Sequence, residues 1–140
     1  MSDNKQIELS QTLIELYDKI SSWEQAVVRK SDLSPAQMHT LEIIGHYGKL
    51  RMKDLAEKMG ITTGTLTVMI DRLEKEGLVV RERHPTDRRS YVIILTDKGN
   101  ELYAEHHQMH CLLTADLIAS FNDDEIDTLT DYLKRLVQHF

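Results

Sequence analysis

Two short helical patterns separated by one glycine, followed at once by two β-branched runs, constrain this chain more than any other feature. In residues 50–60 the side chains of Met52, Leu55, Ala56 and Met59 fall at i, i+3, i+4 and i+7, one apolar face of a helix. Gly60 stands where a helix end needs a residue able to take the left-handed backbone. Thr62 or Thr63 can cap the next helix, since a threonine oxygen accepts from the free amides of a first turn. That second helix repeats the spacing with Leu66, Met69, Ile70 and Leu73. Residues 78–83 and 91–95 are rich in β-branched side chains and predict two strands, with His84 to Ser90 as the turn between them.

The second helix leaves Thr63, Gly64, Thr65, Thr67 and Val68 around its first turns. A helix that enters a DNA groove reads base edges with its N-terminal residues, and threonine can hydrogen-bond a base or touch the thymine methyl. Taken alone, such a cluster is an ordinary cap followed by exposed polar residues. The preceding helix, the glycine turn and the basic hairpin shift the reading towards DNA. Arg88 and Arg89 fall near the tip of the hairpin, where an arginine suits a narrow minor groove. Asp87 cannot bind phosphate and is expected to shape the turn. Thr62, His84 and Thr86 complete the candidate contacts, with Arg51, Lys53 and Arg72 as candidate phosphate ligands. Arg72 could equally be an ion-pair partner within its helix.

Charge distribution says more than net charge. The chain of 140 residues carries 17 Lys and Arg against 23 Asp and Glu, a net charge of −6. Residues 49–89 hold ten basic and seven acidic side chains, or +3, which leaves −9 for the rest. An acidic protein can still bind DNA if its positive charge is gathered on the face that meets phosphate.

These residues carry a family resemblance. Helix, glycine turn, helix and wing, with Asp87-Arg88-Arg89 followed by Leu95-Thr96 and Gly99, resemble the MarR family of winged helix-turn-helix repressors over nearly the whole chain. The resemblance implies a mainly α fold with a small β-hairpin wing, flanked by long dimerisation helices. It implies an obligate homodimer on a palindromic operator in double-stranded DNA, modulated by an effector bound between the dimerisation and DNA-binding regions. Residues 1–140 then form a single domain, with 34–96 as the DNA-binding lobe and 5–30 plus 97–140 as dimerisation helices. Within the family, Met38 to Glu42 and Thr62 to Val68 are similar to the FabT-like subgroup, which represses fatty-acid synthesis genes. That likeness implies an acyl chain borne on acyl carrier protein as corepressor.

The flanks read as long helices. Residues 6–30 place Leu9, Leu13, Leu16, Tyr17, Ile20, Trp23 and Val27 on a broad stripe, over about 37 Å at ~1.5 Å per residue. Ser34-Pro35-Ala36-Gln37 has the serine, proline and glutamine of a capping box that opens a helix. Thr96 caps a long helix, and a last helix carries Ile126, Leu129, Leu133, Leu136 and Val137. The first and last helices carry more apolar surface than one small lobe can easily cover. A two-fold axis would pack them and set two recognition helices roughly 34 Å apart.

An apolar effector could be lined by Trp23, Val27, Met38, Leu41, Met109 and Leu113, although most of these are equally well explained as core. His106 and His110 stand four apart on one helix, a spacing at which two imidazoles can share zinc if other ligands arrive. Glu24 and His39 are the further candidates, a set similar in placement to a site in the family's zinc-uptake repressors. The competing reading is histidines lining a polar pocket; zinc is possible and no cofactor is required. No catalytic triad, phosphate loop or metalloprotease motif appears, so an enzyme is not expected. A winged helix used for protein contact is the other rival, and the +3 lobe speaks against it. Cys111 is the only cysteine, which precludes an intrachain disulfide, and neither a signal peptide nor a membrane span is visible, so a cytoplasmic protein is expected.

Overall fold

The computed structural model describes residues 3–140, so residues 1 and 2 of the expected 1–140 domain lie outside the described residues. Six helices and three short strands follow one another as α1 (Asp3–Val28), α2 (Pro35–Tyr47), β1 (Leu50–Arg51), α3 (Met52–Met59), α4 (Thr63–Lys75), β2 (Val79–Arg83), β3 (Tyr91–Leu95), α5 (Asp97–Leu117) and α6 (Asp123–Gln138). No described helix is long and apolar enough to cross a membrane. Packing divides the chain into two compact units, Met1–Tyr103 and Ala104–Phe140.

Local chemistry accounts for most boundaries. Ser34 accepts from the Gln37 amide while the Gln37 side chain accepts from the Ser34 amide, so the capping box closes both ways. Gly60 ends α3 in the left-handed region at φ 66°. Of the two candidate caps for α4 it is Thr62 whose oxygen accepts from the Thr65 amide. Thr96 accepts from the Gly99 amide at the start of α5 and donates to the Gly77 carbonyl. Gly99 itself permits a close approach, since a Cβ there would stand 2.1 Å from the Leu78 carbonyl oxygen. Asn122 and Glu125 form a second capping box at α6, whose first turn carries Asp123, Asp124 and Glu125 where the helix dipole favours acids.

The sheet is antiparallel in the order β1-β3-β2. β1 is a strand the sequence pattern does not predict, because two residues show no periodicity; it forms by pairing Leu50 with Ile93 and Arg51 with Val92. The core of the first unit lies beneath α2, α3 and α4 and is built from Leu41, Ile44, Leu55, Leu66, Ile70 and Leu73, all fully buried. This is the apolar face that the spacing in α3 and α4 predicts. Burying one such leucine contributes about 1.5–3 kcal/mol, so the orientation of α4 is set from below.

Candidate nucleic-acid interface

With Leu66, Ile70 and Leu73 turned inward, the opposite face of α4 is exposed, and it carries Thr63, Gly64, Thr65, Thr67 and Val68. The hydroxyls are partly committed. Thr62 caps the helix and also donates to the Thr65 oxygen at 3.0 Å, so it acts on the backbone of α4 rather than as a free base contact. Thr67 donates to the Thr63 carbonyl. Gly64 has no internal reason to be glycine: a Cβ there would find nothing nearer than the Thr62 oxygen at 3.9 Å. A cleft of about 470 Å³ runs along this face between the start of α2 and α4, with Gln37, Thr65, Val68 and Arg72 among its walls. Arg72 is exposed and, among the described residues, makes no ion pair, which leaves its charge available to phosphate. Lys53 is likewise exposed on α3.

The wing is built by its own turn. Asp87 accepts from the Arg89 amide at 3.0 Å. That bond, with Ser90 and the positive charge of Arg51 adding to it, holds the Asp87 carboxyl below its ordinary value of 3.8 against the opposing effect of desolvation. Asp87 therefore stays charged and keeps the tip in shape, with Arg88 and Arg89 exposed beside it. His84 differs from its expected role as a DNA contact. Its Nδ1 accepts from the amides of Asp87 at 3.1 Å and Thr86 at 3.3 Å, and its Nε2 lies 2.8 Å from Arg51 Nη2. With Nδ1 accepting, the half-buried ring is a peg that fixes the turn, and Arg51 lies beside its other nitrogen. Thr86 remains exposed, with its hydroxyl 3.3 Å from the same ring nitrogen.

Sequence reasoning missed Arg81. It stands on β2 opposite Ile93 and reaches Asp71 Oδ1 at 2.5 Å and Glu74 Oε1 at 3.1 Å, both on α4. Asp71 holds its guanidinium above the ordinary arginine value, with Glu74 adding to the effect against desolvation. The spacing of Asp71 and Glu74, three apart on one helix face, was the available signal.

The other candidates fall differently. Met38 and Leu41 are buried side chains of the core cluster that also holds the apolar faces of α3 and α4. Trp23 and Val27 are half-buried in the first unit; in the second, Leu113 is half-buried and Met109 exposed. His39 points out of α2 and is exposed; the α2 side chain whose carboxylate comes within 4.8 Å of Glu24 is Glu42, one turn further along. In the second unit His106 is buried and its Nε2 lies 3.1 Å from that of His110.

A threonine-bearing helix start and a ribbon tipped with two arginines, both free of the core, define a winged-helix DNA-binding protein. Residues 33–91 match the model of the MarR family. A Bacillus subtilis protein described as an uncharacterized HTH-type transcriptional regulator, YkoM, is 32% identical over 79% of this chain and 72% of its own. A MarR family protein from Bacillus stearothermophilus has the same fold, with a TM-score of 0.88 at 27% identity over 99% of this chain and 97% of that one. FabT from Streptococcus pneumoniae, solved in complex with DNA, gives a TM-score of 0.83 at 26% identity over 94% of each chain. The chain belongs to the MarR family and is a DNA-binding transcriptional regulator.

Proposed function

We propose that this regulator is a repressor that binds a palindromic operator as a homodimer, with the first turns of α4 in the major groove and Arg88 and Arg89 in the adjacent minor groove. The observation that carries the reading is Arg88 and Arg89 standing exposed at the wing tip beside an exposed, hydroxyl-rich α4 start. Gly64 fits the same picture, because an α-helical glycine with open space around it admits close approach from outside. The Arg88→Ala, Arg89→Ala double variant should keep its fold and lose roughly 10- to 100-fold in operator affinity, with a shallower salt dependence. Fluorescence anisotropy on a duplex selected from random DNA measures it; unchanged affinity would remove the wing from the interface.

The homodimer is supported by apolar side chains that the single chain leaves open: Leu13 and Tyr17 on α1, Leu133, Leu136 and Val137 on α6. A stable 16 kDa particle in sedimentation at micromolar concentration would sink it. For the effector, the FabT-like pattern of Met38 to Glu42 and Thr62 to Val68 implies an acyl chain borne on acyl carrier protein that strengthens DNA binding. Operator affinity measured with and without a long-chain acylated carrier protein decides this, and an unchanged affinity would eliminate that effector.

A metal-responsive reading has its own support in the two ligand-type pairs, Glu24 with Glu42 in the first unit and His106 with His110 in the second. A zinc ion held by the histidine pair would need further ligands. Zinc titrated into metal-free protein should then bind tighter than micromolar, and His106→Ala should abolish that binding. Failure of the parent to bind would dispose of the metal.

A further inference from the structure

We propose that Arg81 is a positioning residue for DNA reading: by bridging β2 to Asp71 and Glu74 of α4, it fixes the angle between the wing and the recognition helix. The inference rests on the interface proposed above and adds a residue that does not itself touch DNA.

The geometry distinguishes Arg81 from the other cations of the lobe. Arg72, Arg88 and Arg89 are exposed and make no ion pair among the described residues. The Arg81 side chain is only 25% exposed, and its fork is filled by two carboxylates from successive turns of α4. A guanidinium held at both ends of its fork fixes orientation as well as distance, which a lysine cannot do. Its place in the sheet is also fixed, because the backbone of Arg81 is registered against Ile93 in the middle of the β2–β3 ladder. The ion pairs therefore connect two rigid elements.

Leverage makes the connection matter. At ~3.3 Å per residue the wing tip projects roughly 15 Å beyond Arg81, so a tilt of about 10° moves the tip by roughly 2.5 Å. Hydrogen bonds to a groove fail well within that displacement. The ladder to β3 keeps the hairpin together and β1 ties it to the start of α3, while Arg81 makes the side-chain ion pairs that join it to α4. Asp71 and Glu74 lie on the helix that meets a polyanion, and on charge alone they would weaken binding. Their pairing with Arg81 gives them a positive role.

That opposition of sign supplies the test. Operator affinity is measured for the parent, Arg81→Gln, the Asp71→Asn, Glu74→Gln pair, and the combined triple variant, with melting temperature and non-specific duplex binding as controls. Both partial variants should lose about tenfold on the operator, the triple should lose no more than either, and Arg89→Ala should cost less in the Arg81→Gln background than in the parent. Arg81→Lys should recover part of the loss. If removal of the two carboxylates strengthens operator binding or leaves it unchanged, Arg81 is not acting through them and the inference fails. Losses that simply add in the triple variant also overturn it. An Arg89→Ala variant that binds like the parent would instead defeat the underlying wing interface.

Discussion

The helix-turn-helix and α6 both expose much of their length, but they expose opposite things. In α4 the leucines and isoleucine are sealed and the open face holds threonines, a glycine and Arg72. In α6 no residue is buried; Leu133, Leu136 and Val137 are 45%, 50% and 72% exposed. The first region has completed its hydrophobic core inside one chain, and what it presents is suited to a charged, hydrated partner. The second presents what a core is made of. The contrast separates the surface proposed to meet DNA from one that offers an apolar stripe, and a second copy of the chain carries the same stripe.

The comparison can be broken most forcefully at its buried side. Leu66→Ala should cost about 2–5 kcal/mol of unfolding free energy, the ordinary loss for a sealed leucine, measured by urea denaturation. A loss below that of a surface substitution would mean that α4 is not anchored from beneath. On the open side, Leu133→Glu with Leu136→Glu should abolish the dimer in sedimentation while far-ultraviolet circular dichroism retains the helices. Persistence of a dimer would place the interface elsewhere.

A smaller effect sharpens the reading of α4. Gly64→Ala should stabilise the protein by about 0.5–1 kcal/mol, because alanine favours a helix and nothing in the chain meets its methyl. The same change should weaken operator binding, and tighter binding would show that no ligand approaches there. The smallest effect concerns the wing. The Asp87 carboxyl is depressed in the folded state, so its support is present above its unfolded value near 3.8 and is lost as pH falls through the lower folded value. The Arg89 amide resonance should hold steady from neutral pH down to about 4 and shift only below it. A midpoint above 4 would contradict the Asp87 anchor.

Some of this arrangement was legible because it depends on neighbours in sequence. The capping box at Ser34, the apolar face of α3 and α4, the Gly60 stop and the arginine tip all follow from side chains within about one or two turns of each other. His84 was not legible in its actual role, since a histidine on a basic hairpin looks like a contact until its ring is found accepting from the turn's own amides. The exchange of Glu42 for His39 beside Glu24 was hidden for a similar reason. Three residues along α2 move a side chain by nearly a full turn, and only the packing of α1 against α2 decides which turn faces Glu24.

By itself the sequence determined the winged helix-turn-helix, its exposed threonines and its polar tip, because helix faces, caps and turns are set by spacings of a few residues. The tertiary structure alone decided that β1 exists and that Arg81 ties the wing to α4. Each of these joins residues separated along the chain, and no local pattern carries the distance between them.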